Sequence, residues 1–512
     1  MNKVRRVVLA GWCALCVALA GCDGLSSDTP EAGSTPTPPE PMPPAPPGLQ
    51  QFYDQDVTWE ECEGSTDFEC TTVRVPLDYA RPDGRTLGLA VSRRVADSET
   101  DRIGAILLNP GGPGGSGIDF APAAVSRLDG EVLKQFDLVG FDPRGVARSE
   151  GLDCLSDAEL DEFLAVDPSP ENAGEVVELL RSAADLGRHC VDADAGLAAH
   201  MSTTEVARDL EVIRSVVRSP DLHYLGTSYG TLLGATYADL YPERVGRMVL
   251  DAALDPSLGP VDTSLIQARG FETAVRAYLA NCVSQDCPLG DSVAEAARGL
   301  HELLEEIDEQ PLPAAGGREL TVSNAIYGVW LPLYVADLQP QLTQALEAAQ
   351  DGDGSPLLAL SDFYTERGPE GYQGNTMEAL AAVTCLEREG PELTEERVRK
   401  LLPRFERASP TFGDVFAWGL LGCSGWPVET SDPIPEIDAP DAPPIPVIGG
   451  TRDPATPYEF AEGLAGDLRS GVLVTRVGDG HGSFGSGNQC IADLVNRFFA
   501  DGEVPEDGVR CS

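Results

Sequence analysis

Gly226-Thr227-Ser228-Tyr229-Gly230 places a serine between two glycines in G-x-S-x-G spacing. A short strand candidate at 224–225 precedes it and a helical run at 231–241 follows. A strand that turns sharply into a helix leaves no room for side chains beside the central residue, so both glycines meet a steric need. The turn would hold Ser228 at a helix N-terminus, where backbone N–H groups and the helix dipole favour developing negative charge. The five-residue pattern also occurs in plain structural turns. Its strand–turn–helix setting points to a nucleophile.

A nucleophilic serine needs a base, and the chain has five histidines. His189 and His200 fall in helical or connecting segments, and His301 in a helical run. His223 opens the strand leading to Ser228, too near in sequence to fold back. His481 remains, in Gly478-Asp479-Gly480-His481-Gly482, where small residues let a loop carry the imidazole to a sheet edge. Asp453 follows a strand candidate at 445–448 and would fix the His481 tautomer and stabilise its imidazolium. Asp479 is the rival, two residues from His481 on the same loop. The order Ser228, Asp453, His481 is that of α/β-hydrolase triads, not the chymotrypsin or subtilisin order. An oxyanion would meet the Tyr229 N–H and the Gly112 N–H, the latter in the turn Asn109-Pro110-Gly111-Gly112-Pro113-Gly114-Gly115-Ser116-Gly117. That turn has no Walker lysine, and a dinucleotide or phosphate loop is not the expected reading.

These turns need elements to carry them. Residues 71–75 and 87–93 read as antiparallel edge strands, and 103–109 and 136–141 as strands buried on both faces. Ser202 and Glu205 form a capping box ahead of helical periodicity at 206–217. Further strands at 248–250, 445–448 and 472–477 and a helix at 491–499 continue the alternation. Between 256 and 440 the runs are helical, as at 293–307, 338–349 and 395–405. The expected fold class is α/β, a mostly parallel, doubly wound α/β-hydrolase sheet with a large helical cap inserted before the last two strands. The core would occupy 49–255 and 441–512, and the cap 256–440.

The chain has 512 residues, 42% of them hydrophobic, and a net charge of −47. Phosphate backbones repel such a polyanion, so nucleic acid is excluded as a partner. Lys3, Arg5 and Arg6 precede an apolar run at 7–19, too short to span a bilayer comfortably, which reads as an export signal over 1–21. Leu19-Ala20-Gly21-Cys22 resembles a bacterial lipobox, in which Cys22 becomes the new N-terminus and carries a diacylglycerol. The alternative is an ordinary export signal with a stray cysteine. Nine prolines between Pro30 and Pro47 make 22–48 an extended linker rather than a core. The expected location is therefore extracytoplasmic, anchored to a membrane through lipid on Cys22. Of 13 cysteines, Cys13 and Cys16 leave with the signal and Cys22 is lipidated; ten remain, an even number that suits disulfides in an oxidising compartment. No Cys/His cluster has zinc-ligand spacing.

The NPGGPGGSG turn, Asp142-Pro143-Arg144-Gly145, GTSYG, the Asp453 turn and His481 together resemble the tripeptidyl aminopeptidase and proline iminopeptidase family of α/β-hydrolases. The likeness runs from about Trp59 to the C-terminus and includes Val75-Pro76-Leu77-Asp78-Tyr79. Pro110 stands where proline iminopeptidases have histidine, and Ala147 replaces a glycine of their Asp-x-Arg-Gly-x-Gly-x-Ser motif. Both departures favour the tripeptidyl branch. The resemblance, with sequence proximity, implies the disulfides Cys62–Cys70, Cys154–Cys190, Cys282–Cys287, Cys385–Cys423 and Cys490–Cys511. It implies a peptide substrate with a free N-terminus, whose amine meets a carboxylate near the cap. Glu387, two residues after Cys385, matches such a position, although a solvated helix-surface role fits it equally. Trp418 and Trp426 flank Cys423 and suit either a pocket wall or a packed core. Acyl-enzyme chemistry needs no cofactor. The same triad would serve a carboxylesterase, and a non-catalytic surface lipoprotein is the reading from another class.

Overall fold

The structure is a computed structural model that describes residues 42–388, 393–430 and 432–512. The export signal, Cys22 and most of the proline-rich linker lie outside the described residues. No helix among the described residues is long and apolar enough to cross a membrane.

Ten strands form one sheet: β1 (Glu60–Glu61), β2 (Glu69–Pro76), β3 (Thr86–Arg94), β4 (Gly104–Asn109), β5 (Phe136–Phe141), β6 (Leu222–Thr227), β7 (Val245–Asp251), β8 (Ile445–Arg452), β9 (Gly471–Asp479) and β10 (Val509–Cys511). They lie in the order β1-β2-β3-β5-β4-β6-β7-β8-β9-β10. β1 to β3 run antiparallel at one edge, and every pair from β5 onward across the sheet is parallel. Every residue of β4 and β5 is buried, as expected for strands covered by helices on both faces. This is the α/β-hydrolase class of sheet. The short β10 extends it past β8 and β9, the two strands anticipated after the helical insertion.

The Asp142-Pro143-Arg144 turn holds the antiparallel edge to the rest. Arg144 is fully buried and donates to both oxygens of Asp209 at 2.7 Å, to Leu77 O at 2.8 Å and to Pro76 O at 3.1 Å. Asp209 belongs to α1 (Thr203–Val216), a helix capped by Ser202 and enclosed on nearly every side. α2 (Tyr229–Leu240) packs alongside it and starts with only Ser228 between it and Thr227, the last residue of β6.

The chain leaves the sheet after Asp251 and returns at Ile445, yet β7 and β8 are neighbours, with Ile448 opposite Asp251. The segment between them is mainly helical and includes α3 (Val322–Tyr334) and α4 (Thr376–Leu386). Two small hairpins also occur there, Leu312–Pro313 with Glu319–Leu320 and Arg367–Gly368 with Gly371–Tyr372. Pairs this short carry no alternating pattern for a sequence to display.

α4 is docked on the sheet domain at both ends. Before it, the buried Asn375 donates to Gly145 O at 2.8 Å and Leu152 O at 3.2 Å and accepts from Ala147 N at 2.9 Å. Glu378 accepts the N–H groups of Cys154 and Leu155, both at 2.7 Å. At its far end Cys385 bonds to Cys423, and the other described disulfides join Cys62–Cys70, Cys154–Cys190, Cys282–Cys287 and Cys490–Cys511. Asn375→Ala removes the acceptor of the Ala147 N–H, the amide donor to Leu152 O and one of the two donors to Gly145 O. It should lower the unfolding free energy by about 2–4 kcal/mol, read as a reduced denaturation midpoint with the disulfides intact.

Candidate active site

Ser228 joins β6 to α2 at φ 58°, ψ −125°, a left-handed conformation that costs a non-glycine residue about 1–3 kcal/mol. Close approach dictates its neighbours. A Cβ on Gly226 would collide with the Gly230 carbonyl, and one on Gly230 would lie 2.8 Å from Asn109 O. The Tyr224 hydroxyl donates to that Gly230 carbonyl at 2.8 Å and locks the turn from beneath.

The glycine-rich turn after β4 lies directly against the serine. A Cβ on Gly111 would come within 2.8 Å of Ser228 Cβ and 3.1 Å of Tyr229 N. Asn109 Oδ1 accepts the Gly111 N–H at 3.0 Å and shapes the turn. Neither Gly112 N–H nor Tyr229 N–H has a hydrogen-bond partner among the described residues.

His481 is fixed from several sides. Its Nδ1 lies 2.8 and 2.9 Å from the two Asp453 oxygens and 3.3 Å from Thr456 Oγ1. Its backbone N–H donates to Tyr334 O, at the end of α3, at 2.9 Å, and the Tyr334 ring meets the imidazole edge-on at 5.1 Å. Asp453 is buried and also accepts from the N–H groups of Ala455, Thr456 and Gly482. The rival Asp479 is engaged elsewhere, paired with Arg452. Arg476 donates to Asp479 O at 2.7 Å and Gly480 O at 2.6 Å and so shapes the histidine loop. No hydrogen bond joins Ser228 Oγ to His481 among the described residues; such contacts commonly tighten when substrate binds.

Burial disfavours the imidazolium, but the adjacent Asp453 carboxylate outweighs that cost. Asp251 adds to the effect and Arg476 opposes it, leaving His481 above its ordinary value.

Glu387 caps α4, and its carboxylate accepts the Thr203 N–H. Thr203 Oγ1 in turn meets the Tyr229 hydroxyl at 2.7 Å, so Glu387 is one residue removed from the side chain that follows Ser228. Burial pushes Glu387 up to about 7, although part of the residue faces solvent. Trp418 is buried in a helical core and Trp426 packs over Gly187, so both serve packing. One group among the described residues, Asp78, His200 and Glu205, brings three ligand-type atoms within 4.8 Å. Arg144 lies 3.3 Å from Glu205 and opposes a cation there.

Sequence reasoning passed over Asp251, Thr456, Arg476 and Tyr334 as parts of this site. Asp251 ends a strand on the same sheet edge as Asp453, a signal that was present. Tyr334 sits far from any motif, and nothing short of the fold places it beside His481.

A family profile described as TAP-like protein matches residues 409–511. Serine protease Hip1 of Mycobacterium tuberculosis is 36% identical over 486 residues, covering 89% of this chain and 91% of Hip1. Carboxylesterase B of the same species is 35% identical over 463 residues, 86% of each chain. Tripeptidyl aminopeptidase of Streptomyces lividans is 33% identical over 480 residues, 89% of this chain and 86% of that enzyme. With this sheet, these turns and relatives matched over nearly their whole length, the chain belongs to the tripeptidyl-aminopeptidase-like family of α/β-hydrolases and is a serine hydrolase.

Proposed function

We propose that the protein is an aminopeptidase that releases short N-terminal units from peptides, with Ser228, His481 and Asp453 as its triad. The observation that carries the reading is the Asp453–His481 pairing at 2.8 Å, one strand removed in the sheet from a serine on a strained strand–helix turn. Ser228 Oγ attacks the scissile carbonyl while His481 Nε2 takes its proton. Asp453 holds Nδ1 and stabilises the imidazolium. The Gly112 and Tyr229 N–H groups receive the oxyanion. His481 then protonates the leaving amine, the C–N bond breaks, and water, deprotonated by His481, hydrolyses the acyl-enzyme. Export and a lipid anchor on Cys22 complete the proposal, supported by the signal pattern and by five disulfides that suit an oxidising compartment.

Glu387 favours peptides over esters as substrates. The Glu387 carboxylate, linked through Thr203 to the side chain that follows Ser228, suits a protonated amine, which an acyl ester lacks. Carboxylesterase B among the relatives keeps the ester reading as the second arm of the test.

The test compares a free-amine tripeptide anilide, its N-acetylated twin and a short acyl ester, with the chain from residue 49. Ser228→Ala should reduce every measurable cleavage by about 10⁴–10⁶-fold. Glu387→Gln should raise KM for the free-amine peptide by about tenfold and leave ester kinetics unchanged. Ester cleavage with both peptides untouched would overturn the peptidase reading.

The pH dependence separates the two groups. The value of His481 is raised, so the neutral base is lost as pH falls through a point above its usual value. Glu387 loses its charge as pH falls through about 7. The free-amine peptide depends on both groups, so its kcat/KM should fall below pH 7 with a slope approaching two. Ester hydrolysis depends on His481 alone and should show a slope of one. Glu387→Gln should reduce the peptide slope to the ester value.

A further inference from the structure

The three triad side chains stand on separate turns, and one residue touches the framework of each. Asp251, the last residue of β7, lies between the nucleophile strand and the acid strand, opposite Thr227 on β6 and Ile448 on β8. Its carbonyl accepts the Ser228 N–H at 3.0 Å. Its side chain is 1% exposed and reaches the histidine loop. Asp251 Oδ1 accepts the Ser483 N–H at 3.0 Å, and Oδ2 accepts the N–H groups of Ser483 and Phe484, both at 2.8 Å. The next residue, Ala252, turns away at φ 59°, and its N–H donates to Ile448 O at 2.9 Å. Leu254 N–H then reaches Thr231 Oγ1, at the start of α2, at 3.0 Å.

We propose that Asp251 is a positioning residue for the Ser228–His481 pair, holding the serine turn by its main chain and the histidine loop by its carboxylate. The inference rests on the triad reading above. A structural turn could be tied by a neutral side chain, yet here a carboxyl is buried with no directly bonded cation among the described residues; burial pushes its value up, and the loop N–H groups and Arg476 act against that rise. Buried charge is costly unless it is hydrogen-bonded or paired. Two loop N–H groups satisfy it, and the charge also favours the imidazolium that forms when His481 takes the serine proton. The groups facing the imidazole are Asp453, Thr456, Tyr334, Arg476 and Asp251; those facing Asp251 are the two loop N–H groups, Arg476, Asp453 and His481. Asp251→Asn preserves shape but turns an amide N–H₂ toward a loop N–H, so the loop must shift and the charge is gone.

The experiment is the rate at which a fluorophosphonate labels Ser228 in the full chain, measured against pH for wild type, Asp251→Asn and Asp251→Glu. Labelling requires the activated serine and not a particular substrate. Displacing the base should slow Asp251→Asn by ~10–100-fold, and loss of the charge should move its acid limb down by about half a pH unit or more. On any cleaved substrate, kcat should fall with KM nearly unchanged. Asp251→Glu keeps the charge and misplaces it, so its rate should fall while its acid limb stays at the wild-type pH. It also carries the test if the asparagine variant does not fold. Wild-type rate and acid limb in either folded variant would overturn the proposal. So would a loss fully accounted for by a smaller titratable fraction of otherwise wild-type sites. A wild type that is not labelled at Ser228 would instead sink the triad reading itself.

Discussion

The conformation of Ser228 constrains much of the surrounding structure. At φ 58° and ψ −125° the backbone is held where side chains ordinarily do not go. Such a turn persists only if its surroundings over-determine it, and here they do. β6 and α2 fix its two ends, Tyr224 clamps the Gly230 carbonyl, and the glycine turn after β4 fills the space above the serine. Each of these contacts sets a residue type elsewhere. Gly226, Gly230 and Gly111 have no Cβ because backbone or the serine itself occupies the position where one would lie.

A second organising feature is the cluster of charge at the C-terminal edge of the sheet. Asp251, Asp453, His481 and Arg476 lie together with little solvent to screen them. Each carboxylate is met by backbone N–H groups, which is how buried anions are made tolerable. Arg476 binds carbonyls of the histidine loop rather than either carboxylate, so its charge tempers the site from a distance. The imidazole is held at both ends of its loop: Tyr334 O takes its own N–H, and Asp251 takes those of Ser483 and Phe484.

The sheet was legible because its central strands are short apolar runs ending in glycine-rich turns, and burial on both faces produces that pattern. Ser228, Asp453 and His481 could be singled out for the same reason, since each follows a strand end and few other residues of the right type do. The rest depended on distant contacts. No motif marks Asn375 or Glu378 in the sequence; only their partners at Gly145, Leu152, Cys154 and Leu155 reveal them as the attachment of α4. The helix Ala173–Ala198 is also absent from the sequence reading, although Asn172 and Glu175 form a capping box at its start. Glu387 was picked out by its place after Cys385, but its link through Thr203 to Tyr229 spans 184 residues in sequence.

The long segment between β7 and β8 begins and ends on adjacent strands, with Ile448 beside Asp251. Neighbouring strands are about 4.8 Å apart, so the sheet closes this loop whatever its length. Closure entropy rises only slowly with added residues, and insertions or deletions within it cost the sheet little. Inheritance can therefore remodel this segment while the strand ends stay in register. The tolerance stops at the end of α3, where Tyr334 holds His481, and at α4, because Asn375, Glu378 and Glu387 are bonded to the sheet domain itself. Descendants of this fold are free to vary the outer helices, whereas a change in the length or phase of α4 would be felt at the serine.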